Sequence, residues 1–159
     1  MARDTPKRPQ TARLANRRAR FDFEILERIE AGIALRGTEV KSLRLGNASL
    51  NEAYARIDGG QVTLINFQIQ PYDKGSVFNH DPKRPKQLLL HRREIKKLTS
   101  KVQIRGQTLV PLAVYFNNKG KAKVELALAR GKTHADKRHK EKERQDQREM
   151  NRAQRRGGL

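Results

Sequence analysis

The sequence predicts a mainly β fold, and three observations support that prediction. Several short runs alternate apolar and polar residues, as half-buried strands do. Turn sequences such as Asp-Gly-Gly and Asn-Asn-Lys-Gly separate these runs. Strands and helices follow the order β, short α, β, β, long α, β, β, which is typical of an OB-type barrel of five to six strands with embedded helices. An SH3-like barrel and an open α+β sheet are the alternatives.

The first strand is predicted over residues 23–35, where apolar side chains recur mainly at every second position. Gly32 interrupts this strand, which predicts a bulge or a sharp bend there. Residues 38–45 predict a short helix, because Thr38 can cap its first turn and Gly46 can end it.

Two strands and a long loop follow. Residues 53–57 alternate and lead into a hairpin turn at residues 58–60. Residues 62–69 continue as the next strand, and a change of phase in their alternation predicts a bulge. Residues 71–87 contain three prolines, so they are predicted to be a loop.

A long helix and a final hairpin complete the domain. Apolar residues spaced mainly three to four apart predict a helix over residues 88–105, closed by Gly106. This prediction places His91 on the apolar face of the helix. Residues 110–116 and 124–128 alternate cleanly and predict the last two strands.

The positive charge is unevenly distributed along the chain. The 36 Lys and Arg residues exceed the 17 Asp and Glu residues, giving a net charge of +19. Both ends of the chain are basic and nearly free of large apolar side chains, so neither can offset the entropy of ordering by burial. We therefore predict a basic N-terminal arm at residues 1–20, the barrel at 21–130 and a basic tail at 131–159. The tail is rich in helix formers, and we expect it to be disordered when free and helical when bound.

The composition also limits the protein's setting and partners. A net charge of this size indicates a polyanionic partner, first a nucleic acid and second an anionic membrane. There is no cysteine, which excludes disulfides and thiolate metal sites. The sequence has no apolar run long enough to span a bilayer and no signal-peptide core at its start, so we expect a cytoplasmic protein without a membrane partner.

The residues that enzymes need are not assembled in the sequence. A Gly-rich phosphate loop, a nucleophile elbow and an HExxH motif are all missing from the 159 residues. His80 beside Asp81 could serve a nuclease as base and ligand, but the carboxylates that would surround a metal are scattered singly. We expect no enzymatic activity, no bound metal and no cofactor.

A basic strip is predicted on the last hairpin. Because residues 124–128 turn their apolar side chains to the core, Lys121 and Lys123 point outward. With Lys119 they form a strip suited to RNA phosphates, although an ordinary solvated strand face fits the pattern equally well. Tyr115 is one of five aromatic residues that could stack on bases, but a core or loop position explains most of them.

Four runs of the sequence are more specific than these patterns. They are EAGIALRGTEVKSLRLGNASLNEAYARI (30–57), NHDPKRPKQLLLHRREIKKL (79–98), TLVPLAVYFN (108–117) and ALARGKTHADKR (127–138). Together they closely resemble the bacterial SsrA-binding protein family, also called small protein B. The resemblance covers roughly residues 15–140, which is nearly the whole domain.

The resemblance implies an RNA-binding translation factor with an OB-type barrel. Members of this family bind the elbow and D-loop region of the tRNA-like part of transfer-messenger RNA. They bring that RNA, charged with alanine and carried by elongation factor Tu with GTP, to 70S ribosomes stalled on truncated messages. The body stands in place of an anticodon arm, and the tail enters the empty mRNA channel. The ribosome then changes template and tags the unfinished peptide, the process called trans-translation.

The resemblance also assigns RNA-binding residues. The family's contact positions match Glu30, Leu89 and Lys123, and Lys121 lies beside them on the basic strip. A carboxylate such as that of Glu30 repels phosphate, but it can accept hydrogen bonds from base amino groups or a 2′-OH. An exposed Leu89 could make an apolar contact with a base.

In the tail, the resemblance points to the decoding centre of the ribosome. Gly131 matches a hinge at the domain exit, and the triplet Asp136, Lys137 and Arg138 matches the family's segment there. The residue before that triplet is often aromatic or His in the family, but here it is Ala135, with His134 one place earlier. Either His134 takes over the stacking contact or that contact is absent.

Two other function classes stay open on the sequence. An OB-type ribosomal protein or an initiation-factor-like rRNA binder would share the fold and the charge. An RNA nuclease or modification enzyme would share the ligand, but it should show clustered acids or histidines.

Overall fold

Six strands close into a barrel in the computed structural model, which describes residues 13–73, 79–132 and 134–157 and, for residues 134–137, the backbone alone. The strands are β1 Leu14–Ala15, β2 Phe23–Ile33, β3 Ala48–Ser49, β4 Tyr54–Asp58, β5 Gln61–Ile65, β6 Gln68–Ile69, β7 Lys86–Leu89, β8 Gln107–Phe116 and β9 Ala122–Gly131. The helices are α1 Arg17–Asp22, α2 Gly37–Arg44, α3 Arg92–Val102 and α4 His134–Gly157.

The barrel closes through the pairing of its long strands β8 and β9. The order around the ring is β8-β4-β5-β7-β2-β9, and every neighbouring pair is antiparallel. Strand β1 joins β8 near Val114, and β3 pairs with β6 as a separate ribbon. The predicted mainly β fold, an OB-type barrel with embedded helices, is confirmed.

The core fills the interior of this barrel. As predicted, Val124, Leu126 and Leu128 of β9 face inward and are buried. Helix α3 contributes Leu98, which is also buried. Burying one such Leu side chain stabilises a fold by roughly 1.5–3 kcal/mol. The largest fully buried apolar residues are Leu50, Leu64, Phe67, Ile69, Leu98, Leu109, Leu112 and Leu126.

Residues 14–20, which the sequence assigned to a basic arm, pack on the barrel as β1 and most of α1. Asn16 caps α1 by accepting from the Ala19 N–H at 3.2 Å, and its Nδ2 donates to the Pro111 carbonyl at 3.0 Å. Ala19 is buried in a small second cluster on the outside of β8 and β9. Leu14 also packs against the main core, but Leu14, Asn16 and Ala19 form no apolar repeat, so no pattern in the sequence signals this anchoring.

The helix predicted over residues 88–105 begins four residues later than expected, because residues 86–89 form β7 instead of loop and helix. Leu88 pairs with both Ile33 and Val62, so β7 fills the gap between β2 and β5 and completes the ring. His91 is an exposed residue at the N-cap of α3, and its predicted place on an apolar helix face is wrong.

The irregularities in the strands differ partly from the predicted ones. Of the bulge or sharp bend expected at Gly32, the bulge is wrong, because β2 keeps its register there and the register shift lies between Ile25 and Glu27; the bend stays a prediction. The bulged strand predicted over residues 62–69 is also wrong: β5 ends at Ile65, Asn66 has a φ of 60°, and β6 pairs with β3 in the separate ribbon.

The basic tail forms the 24-residue helix α4, as its composition predicted for the bound state. Near its start, Lys140 donates from Nζ to the Arg20 carbonyl at 3.0 Å, at the end of α1. The predicted disorder of the tail in the free protein, like the division into arm, barrel and tail, stays a prediction. None of the described helices is both long and apolar enough to cross a membrane.

Candidate nucleic-acid interface

The structure brings the four predicted RNA-binding residues to one groove on the barrel. The groove has a volume of about 640 Å³ and lies where β2, β7, α2, the start of α3 and the β8–β9 turn meet. Glu30, Leu89, Lys121 and Lys123 all line it. Apolar side chains form its floor: Ile33, Leu35, Val40, Leu90 and Phe116.

Leu89 gives the groove an exposed apolar contact surface. Alternation along β7 turns Leu88 into the core and leaves Leu89 54% exposed. Gly32 lies against it on β2, where an added Cβ would be 3.2 Å from the Leu89 Cβ. Glycine therefore lets the two strands approach closely enough to hold Leu89 at the rim.

Glu30 is held at the groove by a tyrosine. The Tyr115 hydroxyl donates to Oε2 of Glu30, and the Arg13 guanidinium lies 5.2 Å from the centre of the Tyr115 ring. Burial raises the pKa of Tyr115 to about 12, and the hydrogen bond to Glu30 acts in the same direction. The tyrosine thus stays protonated as a donor, and a carboxylate held in one orientation suits hydrogen bonding to a base edge.

Two lysines form the basic side of the groove. Lys121 leaves the β8–β9 turn, which Asn117 shapes by accepting from the Lys121 N–H at 2.9 Å through Oδ1. Lys123 follows on β9, paired with Tyr115. Arg44, which the sequence analysis missed, donates to the Gly120 carbonyl at 3.4 Å. Its guanidinium lies 4.5 Å from the centre of the Phe116 ring. Its position on the polar side of α2 gave no signal of this contact.

A buried ionic cluster connects two of the elements that line the groove. Glu39 of α2 is fully buried and accepts from Arg84 Nη2 at 2.5 Å and from the Arg36 N–H at 2.8 Å. Lys86 of β7, also buried, donates from Nζ to the Phe67 and Arg84 carbonyls, both at 2.7 Å. The cluster joins α2 to β7, and both of these elements contribute lining residues to the groove.

Burial and neighbouring charges act against each other in this cluster. Burial opposes the charged form of Glu39, but the hydrogen bonds from Arg84 and the Arg36 amide outweigh it and lower the pKa of Glu39. Burial lowers the pKa of Lys86 to about 8, although Glu39 opposes this shift. The cluster is therefore ionic at neutral pH.

His80 holds the loop that leads to β7. Its ring is buried, with Nε2 at 2.9 Å from the Ile69 carbonyl and Nδ1 at 2.9 Å from the Thr38 hydroxyl. Asp81 accepts from the Lys83 N–H. Both ring nitrogens are occupied, so the His80–Asp81 pair fits a structural role better than that of a nuclease base. The described residues contain no group of three or more acids or histidines that could hold a metal ion.

The predicted tail residues follow the groove residues in the sequence, and the structure describes only some of their side chains. Gly131 ends β9, paired with Phe23, and an added Cβ there would meet no atom within 4 Å. Arg138 is exposed on α4. The side chains of His134, Asp136 and Lys137 lie outside the described residues, although their backbone belongs to α4.

Comparisons with known proteins agree with the resemblance found in the sequence. The SsrA-binding protein of Desulforamulus reducens is 54% identical over 88% of this chain and 87% of its own length. Those of Sphingopyxis alaskensis and Rhizorhabdus wittichii are 58% and 52% identical over 86% and 96% of this chain, and 85% and 96% of their own lengths.

A solved structure and a family model give the same result. The structure, described as "tmRNA-SmpB: a journey to the center of the bacterial ribosome", contains a chain that is 56% identical, with a TM-score of 0.66, over 77% of this chain and 85% of its own. The family model described as SmpB protein matches residues 13–156. With this agreement in sequence and fold, the chain belongs to the SmpB family of SsrA-binding proteins.

Proposed function

We propose that this protein binds the tRNA-like part of transfer-messenger RNA and delivers it to stalled ribosomes for trans-translation. The observation that carries the proposal is that Glu30, Leu89, Lys121 and Lys123 line one groove. Membership in the SmpB family supports it, as do relatives described as SsrA-binding proteins.

The groove combines the contacts that a folded RNA needs. Lys121 and Lys123 would bind phosphates, which position the RNA without reading its sequence. Leu89 would pack against an unstacked base, and the fixed carboxylate of Glu30 would accept from a base amino group or a 2′-OH. Loops with exposed bases, such as those at the elbow of a tRNA-like fold, present all three kinds of group.

Helix α4 supplies the second part of the proposed function. In a vacant mRNA channel, its lysines and arginines would contact many rRNA phosphates at once, while a message already present would exclude it by volume and charge. Gly131 would redirect the helix, and the segment with His134, Asp136, Lys137 and Arg138 would lie in the decoding centre. The protein would thus sense the absence of message without catalysis, as a factor and not an enzyme.

The partners of this role are transfer-messenger RNA and the stalled 70S ribosome. Elongation factor Tu with GTP would take part indirectly, by carrying the alanine-charged RNA. That role is carried out in the cytoplasm, where the ribosomes are. It needs no metal and no cofactor. An rRNA-binding ribosomal protein or initiation-factor-like protein is the second candidate, because the fold and the charge alone fit both.

The test is to identify the RNA that crosslinks to the protein in living cells. We expect transfer-messenger RNA to dominate for the wild type and to fall several-fold for a Leu89→Ala, Lys123→Ala double variant. A Lys83→Ala variant, which removes an exposed cation outside the groove, is the matched control and should keep the signal. Bulk rRNA alone from the wild type would favour the ribosomal-protein alternative.

A further inference from the structure

Helix α3 has a second cleft on the side away from the groove. His91 at its N-cap and Glu94 in its first turn line the groove, whereas Arg92, Lys96 and Ser100 line a cleft of about 880 Å³. The opposite wall is the β4–β5 turn at residues 58–60. The groove and the cleft are therefore neighbours, separated only by the first turn of α3.

Four of the five cations of α3 form two pairs with different environments, and the fifth, Arg93, is not among the lining residues of the groove or the cleft. Lys97 donates from Nζ to Oε1 of Glu27 at 3.0 Å, and Lys101 pairs with the other oxygen of the same carboxylate. For Arg92 and Lys96, no carboxylate lies within ion-pair distance among the described residues. Lys97 and Lys101 thus share one carboxylate, whereas Arg92 and Lys96 have none within ion-pair distance in the described part of the chain and line the cleft.

The other groups in the cleft are also suited to a nucleic acid backbone. Asp58 is the one carboxylate among the lining residues, so cations outnumber acids there. The hydroxyls of Thr99 and Ser100 donate to the carbonyls of Ile95 and Lys96, at 2.7 and 3.3 Å. Their oxygen lone pairs remain free to accept a hydrogen bond, for which a ribose 2′-OH is a suitable donor.

We propose that this cleft binds the sugar–phosphate backbone of an RNA whose bases occupy the groove. Arg92 and Lys96 are four residues apart and therefore about 6 Å apart along the helix axis. That spacing lets them contact neighbouring phosphates of one strand as it crosses the first turn of α3. The inference deepens the proposed function and rests on it, since the groove must hold the RNA first.

The salt dependence of RNA binding tests this assignment with a control from the same helix. The cleft variant is Arg92→Gln, Lys96→Gln, and the control is Lys97→Gln, Lys101→Gln. Both remove two positive charges, and glutamine preserves helix propensity. The probe is the transcribed tRNA-like part of transfer-messenger RNA, titrated between about 50 and 200 mM salt. Circular dichroism melting of all three proteins verifies that they are folded.

We expect the cleft variant to lower the slope of log affinity against log salt by about 1.5, as for two lost phosphate contacts, and the control to leave it unchanged. An equal decrease of the slope in both variants would show that general charge is responsible and would overturn the assignment. An unchanged slope in the cleft variant, with the wild type binding the RNA, would also overturn it. A wild type that does not bind this RNA would instead refute the proposed function, and the cleft assignment with it.

Discussion

Leu126 in the barrel is 1% exposed, whereas Met150, the one large apolar side chain described in α4, is 56% exposed. The same contrast holds for polar groups. Glu39 is buried among hydrogen bonds from Arg84 and the Arg36 amide, whereas the described side chains of α4 are exposed throughout. The barrel is stabilised by burial, and α4 has no comparable burial of its own.

The difference indicates how the two parts act. A groove built on a closed barrel is formed before the RNA arrives, so binding need not order it. Helix α4 is supported by local contacts such as Gln147 with Asn151 and by the Lys140 contact to α1. Side-chain pairs such as Gln147 with Asn151 contribute roughly 0.2–0.5 kcal/mol each, so we expect α4 to need a partner for its order. The proposed function therefore assigns recognition to the barrel and sensing to the tail.

The largest expected effect separates the two regions by stability. Leu126→Ala should lower the free energy of unfolding by about 2–5 kcal/mol, because it leaves a cavity in the barrel. Met150→Ala is the matched change in α4 and should change the free energy of unfolding by no more than about 0.5 kcal/mol. Urea unfolding of both variants measures the difference. Equal losses would show that α4 packs as part of the core.

The next effect separates the two regions by RNA binding. Lys123→Ala should weaken binding of the tRNA-like part of transfer-messenger RNA by about 1–3 kcal/mol, because a groove contact is lost. Lys142→Ala removes the same charge from α4 and should change affinity much less. Gel-shift titration measures both, and a larger loss for the tail variant would contradict the division of roles.

A smaller effect uses the buried lysine of the barrel. The pKa of Lys86 is about 8 in the folded protein, whereas the ordinary value for lysine is 10.5. At pH values between these two, the unfolded chain therefore binds more protons than the folded protein. The free energy of unfolding should therefore rise through this group as pH increases from about 8 to 10. The raised pKa of Tyr115 changes the free energy of unfolding only above about pH 10, where it lowers it as pH increases.

Urea unfolding at pH 7 and pH 9.5 measures this contribution. The gain at pH 9.5 should be smaller in Lys86→Met than in the wild type. A chain ending at Arg130 should keep the wild-type gain, because the group responsible lies in the barrel. An identical gain in Lys86→Met and the wild type would show that Lys86 is not the source.

Sequence periodicity predicted both strands of the closing hairpin but not the register shift between Pro111 and Ala113, which places Val110 and Leu112 outside the core that holds Val114, and it predicted β7 poorly. Residues 110–116 and 124–128 alternate strictly, and only strands have that period. The three leucines at residues 88–90 fit the start of a helix equally well. Only the partners of Leu88 on β2 and β5 determine the strand, and they lie far away in the sequence.

The candidate site was predictable in part. Lys123 followed from alternation, but Glu30 and Leu89 came only from the family resemblance, since nothing in their local pattern marks them. The Glu39–Arg84 pair could not be predicted, because its members are 45 residues apart and nothing in the sequence indicates that they meet.

The central claim, recognition by the barrel and sensing by the tail, is tested most directly by removing residues 131–159. The truncated protein and the full chain are compared in RNA binding and in reconstituted peptide tagging on stalled ribosomes, beside a variant with Asp136, Lys137 and Arg138 changed to Ala. We predict that truncation leaves transfer-messenger RNA affinity nearly unchanged and abolishes tagging, and that the triple variant does much the same. Full tagging by the truncated protein, or a large loss of its RNA affinity, would contradict the account.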